Sequence, residues 1–370
     1  MCQRMAKGHI LVLGGSGNFG ARIVRALHTD PTLRLTAASR RGSSVPGAEG
    51  VTRVALDWHS AAFPDQLRAL APDVVIHCVG PFQGQDYRVA RAALAANSHY
   101  VDLADGREFV VGFAAALKEQ ARLQDRVAIS GASTLPALSS AVIDTLSESM
   151  RSIESIDVCI APGQRAARGA ATLAAVFSYL GRPIRLWRAG RWQTVWGWMD
   201  LRPINLDIGA RWGAVCDVPD LTLLPARYPS VREVEFRAAL EFKVQHVALW
   251  ALAGLRRAGL PMPVDRWAIG LNRLAAVFDP FAGPCGGMGV SVIGHARGGG
   301  RIRRTWQLRA PASDGPEVPC MASILLARRM AVGNTVKSGA YYCVGMLTLA
   351  DFAPLFERWG IRTRIEECAA

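Results

Sequence analysis

Lysine is nearly missing from this 370-residue chain. Lys7, Lys118, Lys243 and Lys337 are the only ones, so the formal net charge of +13 rests almost wholly on arginine. The arginines are scattered, with the densest group at Arg297, Arg301, Arg303, Arg304 and Arg309. A diffuse guanidinium surface lacks the basic stripe or arm of a nucleic-acid binder, so no nucleic acid is expected. It suits a phosphorylated cofactor or an acidic substrate. Long hydrophobic runs are lacking too. No stretch reaches the ~18 apolar residues of a membrane span, and Ile10-Leu11-Val12-Leu13 is too short for a signal-peptide core. A cytoplasmic location is expected. The eight cysteines form no Cys-x-x-Cys and no zinc-ligand spacing. A chain of this size needs no disulfide staples, so reduced thiols and no metal are expected. Also absent are His-Glu-x-x-His, a Gly-x-Ser-x-Gly elbow, the Gly-Lys-Ser/Thr ending of an ATP-binding loop, and any internal repeat.

What is present is an alternation. His9–Gly14, Leu33–Ser39, Thr52–Asp57, Val74–Val79, His99–Leu103 and Val127–Ser130 read as strands. Phe19–His28, Ala61–Leu70, Asp86–Ala96 and Glu108–Gln124 read as helices between them. Fully apolar strands alternating with helices predict an α/β, Rossmann-type doubly wound parallel sheet covered on both faces. The pattern changes near residue 150. Trp187, Trp192, Trp196, Trp198 and Trp212 sit among Gly and Arg in a stretch that suits antiparallel strands, and a β pair is expected around Gly298-Gly299-Gly300. The expected organisation is a dinucleotide-binding domain over 1–145, an α+β substrate and oligomerisation domain over 146–335, and a tail over 336–370 that packs back on the first domain. A homodimer is expected. Leu240–Ala258 reads as an amphipathic helix with Val244, Val247, Ala248, Ala251 and Leu255 on one stripe. Packing of that stripe on the domain core or at a dimer interface is expected. Its Trp250, Arg256 and Arg257 make a membrane surface the alternative.

The chemistry starts at Gly14-Gly15-Ser16-Gly17-Asn18-Phe19-Gly20, which holds G-x-G-x-x-G as Gly15, Gly17 and Gly20. It follows a buried strand and opens a helix, the context that a dinucleotide loop requires. Glycine permits positive φ and close backbone approach to a pyrophosphate, and the helix N-terminus offers N–H groups and positive potential. The second strand ends Ala38-Ser39-Arg40-Arg41, with no acid to take ribose hydroxyls. Arg40 and Arg41 would attract a 2′-phosphate that a carboxylate would repel. NADP is therefore expected over NAD. Asp57, at the end of the third strand, faces either the adenine edge or a turn.

Ligands in such folds lie outside the carboxyl ends of the strands. Cys78, Val79 and Gly80 should line the cofactor there, with Phe82 covering the ring. Tyr100 and Asp102 share one face of the next strand end and are the candidate proton carriers, each with packing or turn-fixing as the competing role. Ser130-Gly131-Ala132-Ser133-Thr134-Leu135-Pro136 is the third such segment. No tyrosine has lysine four residues on, since Tyr87 is followed by Arg91 there, so the short-chain reductase pair is missing. At these residues the chain resembles the saccharopine dehydrogenase-like family over about 8–145. The glycine loop, Cys-Val-Gly-Pro-Phe, His-Tyr-Val-Asp and Ser-Gly-Ala-Ser segments occur in that order. The resemblance implies NAD(P)-linked hydride transfer with an imine or secondary amine of an amino-acid- or polyamine-like substrate. The second half departs from the saccharopine enzymes, so saccharopine itself is not implied. A cofactor-binding sensor or scaffold without turnover is the alternative.

Overall fold

The structure is a computed structural model that describes residues 8–167, 169–261, 264–311 and 313–370. Cys2 and Lys7 lie outside the described residues. The chain divides into two compact units, 1–134 with 319–343 and 135–318 with 344–370.

The first unit is built on strands β1 (Gly8–Leu13), β2 (Leu33–Ser39), β3 (Thr52–Ala55), β4 (Val74–His77), β5 (His99–Asp102) and β6 (Val127–Ser130). A further strand, Gly339–Tyr342, joins them beside β6. From the edge the order is Gly339–Tyr342, β6, β5, β4, β1, β2, β3, and every pairing is parallel. The expected doubly wound α/β sheet is therefore present. Helices α1 (Asn18–Leu27), α2 (Phe63–Leu70), α3 (Arg88–Ala95) and α4 (Arg107–Leu123) alternate with the strands. All six residues of β1 are buried, which leaves no solvent face and explains why the strand carries no polar alternation. In α4, Phe109, Val110, Phe113, Leu117 and Ala121 recur at three- and four-residue spacing and make its buried stripe.

Four strands end earlier than the sequence reading, β1 and β5 by one residue and two others by more. The third strand stops at Ala55 and the fourth at His77, two residues early in each case, because the chain turns there. In this unit the sequence reading places no element at the helix Val318–Ala331 or the strand Gly339–Tyr342, although it expects the tail over 336–370 to pack back on the first domain.

The second unit carries a nine-stranded mixed sheet. The expected β pair is Cys285–Ala296 with Arg301–Pro311, closed by Gly299 and Gly300 at φ +91° and +83°. The tryptophan-rich stretch forms antiparallel strands at 183–188, 191–196, 202–206 and 209–215. One face of the sheet is apolar, with Ile156, Val158, Val290 and Val292 buried. The other carries a polar row running Glu235, Asp157, Ser291, Thr305 on four neighbouring strands.

Asp220 in this unit is 1% exposed, and neither carboxyl oxygen has a hydrogen bond of good geometry among the described residues. Burial pushes its pKa up to about 7, offset only in part by the nearby Ser139 hydroxyl. An unfolded aspartate titrates near ~3.9. Between those values the folded chain holds a proton that the unfolded chain has lost, so stability falls as pH rises, by at most about 1.4 kcal/mol per pH unit. Asp220→Asn should flatten this slope and raise stability above pH 7 by about 1–3 kcal/mol. Denaturant midpoints on either side of that window check it; an unchanged slope would show that Asp220 does not titrate there.

The long helix is observed at Lys243–Arg257. Its stripe does not pack on the core as expected. His246 and Ala253 are its buried residues, while Val244, Val247, Ala248, Ala251 and Leu255 are exposed.

Candidate functional site

The glycine loop sits on top of β1 and is tied to both neighbouring strands. Gly14 and Gly15 both donate backbone N–H to Ala38 O, at 2.8 and 2.9 Å, which brings the end of β2 to the loop. Cys78 N donates to Leu13 O at 2.9 Å, which brings the end of β4 to its other side. Three glycines have steric reasons to be glycine. Gly14 takes φ +85°, and a Cβ there would meet Val79 Cγ2 at 2.8 Å. A Cβ on Gly15 would meet Val12 O and the Ala37 side chain at 3.0 Å. A Cβ on Gly20 would lie 2.1 Å from Gly14 O, so only glycine lets α1 approach the strand this closely.

Gly17 differs from these three. It is exposed, its φ is −77°, and a Cβ would meet only Gly14 O, at 3.1 Å. It is the N-cap of α1, makes no side-chain cap, and no acid sits in the first helical turn. The usual helix would have Ser, Thr, Asp or Asn accepting from its first amides. Among the described residues no side-chain cap is made at this end of α1, where Ser16 is exposed and Asn18 and Phe19 are half-buried.

At the end of β2, Ser39 caps the turn. Its Oγ accepts from Ser43 N at 3.0 Å, and its carbonyl accepts from Leu56 N at 2.9 Å. Arg40 and Arg41 are both exposed and have no acidic partner among the described residues. Asp57 follows Leu56 and so lies near this turn. Its Oδ1 accepts from His59 N at 3.1 Å and its carbonyl from Ser60 N at 3.0 Å, a turn-forming geometry.

Cys78 and Val79 lie against the loop, as the close approach of Gly14 to both shows, and Gly80 follows them in the chain. Burial pushes the Cys78 thiol far above its ordinary pKa, which keeps it protonated and unreactive. Gln85 holds this segment: its Nε2 donates to Val79 O at 2.8 Å and Pro81 O at 2.7 Å. Sequence reasoning missed Gln85, since an amide clamp on a loop has no motif. Phe82, expected to cover the ring, lies here among aromatic side chains. It is 4% exposed and packs at 5.1 Å from His77 and 5.3 Å from Phe109.

Tyr100 and Asp102, the candidate proton carriers, are both fully buried. The Tyr100 ring stacks on Phe113 at 5.7 Å, and its hydroxyl shares a 2.9 Å hydrogen bond with His77 Nδ1. Burial lowers the His77 pKa to about 3, so the imidazole is neutral. Asp102 Oδ1 accepts from Ala104 N at 3.0 Å, Gly131 N at 2.8 Å and Ser130 Oγ at 2.9 Å. One carboxylate thus ties the end of β5 to the end of β6. Burial raises its pKa to about 6 even so, the three donors offsetting only part of the desolvation.

The second unit holds a concavity of about 320 Å³ on its polar sheet face, edged by Asp157, Glu235, Arg202, Arg237 and Arg303. Most of these charges satisfy one another. Arg237 reaches Glu235 at 2.7 Å and Asp200 at 3.0 Å, and Arg188 reaches the same two carboxylates at 2.5 and 2.6 Å. Burial alone would raise Asp200, but hydrogen bonds from Arg188 and Arg237 hold it down at about 2. A closed network of this kind fixes the strands that carry it. Among the described residues no group of acids, histidines and cysteines could hold a metal ion.

Residues 10–105 match the NAD dependent epimerase/dehydratase family. Along nearly the whole chain, the fold is similar to that of saccharopine dehydrogenase (L-Glu forming) from Saccharomyces cerevisiae. The TM-score is 0.68 at 14% identity, over 98% of this chain and 100% of that one. It is also similar to the homospermidine synthase of Legionella pneumophila, solved in complex with NAD. There the TM-score is 0.62 at 11% identity, over 98% of this chain and 92% of that one. No curated protein sequence matches the chain.

Proposed function

We propose that this protein is an NADP-dependent oxidoreductase. In this reading it moves a hydride between NADP(H) and an imine, a secondary amine or a related carbonyl of a small amino-acid- or polyamine-like substrate. The observation that carries the reading is the N-terminus of α1, without a side-chain cap among the described residues, beside Gly14, Gly15 and the exposed Gly17, with Arg40 and Arg41 exposed at the end of β2 and without an acidic partner among those residues. These residues fit a nucleotide. The amides after Gly17 would hold the pyrophosphate, the two arginines the 2′-phosphate, and the Cys78–Gly80 segment the side nearest the nicotinamide. The nicotinamide, when bound, supplies the hydride chemistry. Asp102 and Gln85 position the backbone at the strand ends that the cofactor must lie against. The substrate class follows the fold shared with saccharopine dehydrogenase and homospermidine synthase. The epimerase-family match ends at residue 105, and no Tyr-x-x-x-Lys pair exists to extend it to that chemistry.

Calorimetric titration tests the site. NADPH should bind, NADH more weakly, and Gly17→Trp should abolish both by filling the space over the first amides of α1. Unaltered NADPH affinity in that variant places the nucleotide elsewhere. A second reading, a cofactor-binding sensor without turnover, draws on the complete burial of Tyr100 and Asp102, which leaves no proton carrier identified. NADPH oxidation in the presence of keto acids and amines separates the two, because a sensor binds the cofactor and never consumes it.

A further inference from the structure

The start of Lys243–Arg257 meets the next helices: Phe242 packs 5.1 Å from Phe278, and Gln245 Nε2 donates to Ala275 O at 3.4 Å. Val264–Ala275 is followed by a short turn of helix at Ala276–Phe281. Along them Trp267, Leu274, Val277 and Phe281 are exposed, Phe281 at 77% and Leu274 at 65%. With Val244, Val247, Trp250 and Leu255 of the first helix, this is a concentration of large apolar side chains in water that an isolated globular unit does not keep without a partner. Charge says what the partner is. From Phe242 to Phe281 the chain has five cations, Lys243, Arg256, Arg257, Arg266 and Arg273, against two acids, Asp265 and Asp279. Lys243, Arg257 and Arg273 have no acidic partner among the described residues, and two of them lie over tryptophan rings at the flank: Lys243 at 5.4 Å from Trp212 and Arg257 at 4.8 Å from Trp196. A second copy of the same face would bring like charges together. An anionic surface would meet them with opposite charge and take up the apolar stripe, while tryptophans suit the boundary between headgroups and acyl chains. No described helix is long and apolar enough to cross a membrane, so the contact is one of lying on the surface.

We propose that the helices spanning Lys243–Arg257 and Val264–Phe281 form a docking face for the surface of an anionic lipid bilayer. The test is flotation of the full-length protein with vesicles of phosphatidylcholine, with and without phosphatidylserine, together with light scattering on a sizing column. The expected result is co-flotation with the phosphatidylserine vesicles that weakens as salt is raised, at least ten times stronger than with phosphatidylcholine alone. Val247→Glu and Phe281→Glu should each lower the bound fraction several-fold, with NADPH affinity and melting temperature unchanged. Absence of co-flotation at low salt overturns the proposal. So does a dimer in solution that Val247→Glu converts to monomer, since the face would then be covered by a second copy.

Discussion

Asp102→Asn should leave the protein folded and able to bind NADPH, whereas Asp102→Ala should cost about 2–4 kcal/mol of stability and weaken the nucleotide site. The asymmetry comes from which oxygen is used. Oδ1 accepts all three hydrogen bonds, from Ala104 N, Gly131 N and Ser130 Oγ, while Oδ2 has none of good geometry among the described residues. Asparagine keeps an oxygen at the first position and replaces a buried charge with a neutral amide. Its net effect near neutral pH should lie within about 1 kcal/mol, because relief of desolvation opposes the weaker acceptor. Alanine leaves three buried donors without a partner, each a penalty of about 1–3 kcal/mol before the relieved burial is subtracted. Denaturant titration and NADPH calorimetry on the two variants read this directly. The pair also separates positioning from proton transfer: a proton carrier would lose kcat in both variants, while a positioning group keeps kcat in the asparagine form. Loss of turnover in Asp102→Asn with stability and NADPH affinity intact would return Asp102 to the chemistry.

The double change Arg40→Ser and Arg41→Ser should raise the NADPH Kd about 10- to 100-fold and leave the NADH Kd within about two-fold. Each charge-assisted hydrogen bond to a phosphate is worth about 1.5–3 kcal/mol. The two side chains are exposed, so screening by solvent keeps the expected loss at the lower end of what two such bonds would give. Neither arginine has an acidic partner among the described residues, so their removal should not alter the melting temperature. The NADPH affinity of the parent should also fall with added salt more steeply than that of the variant. Equal weakening of both nucleotides would show that the arginines act on the shared diphosphate, and the choice of cofactor would then need another source.

The parallel sheet of the first unit was legible because its strands are buried on both faces and its helices bury one stripe. Composition then reports the environment without ambiguity, as in β1 or in the Phe109–Val110–Phe113–Leu117 face of α4. The glycine loop was legible for a steric reason: Gly14, Gly15 and Gly20 stand where any side chain would strike backbone or a packed neighbour. Gly339–Tyr342 was not legible. Four residues with two glycine-like or small members carry no periodicity, and the partner that makes them a strand is β6, more than two hundred positions earlier. Alternation correctly put Tyr100 and Asp102 on one face, yet it cannot say whether that face meets a ligand or the Phe113 ring. The same limit applies to Val244–Leu255. Periodicity reveals that a helix has an apolar side; what covers that side depends on tertiary placement, which here turns it outward.

The edge strand Gly339–Tyr342 has a consequence for the order in which the protein can be made. During synthesis β6 leaves the ribosome early, but the strand that pairs with it, and the helix Val318–Ala331 of the same unit, emerge only after nearly all of the second unit has been translated. Until then β6 is an open, apolar edge in the nascent chain, the kind of template that recruits other strands. Termination between residues 135 and 338 would therefore leave the first sheet with its glycine loop complete and β6 as a bare edge.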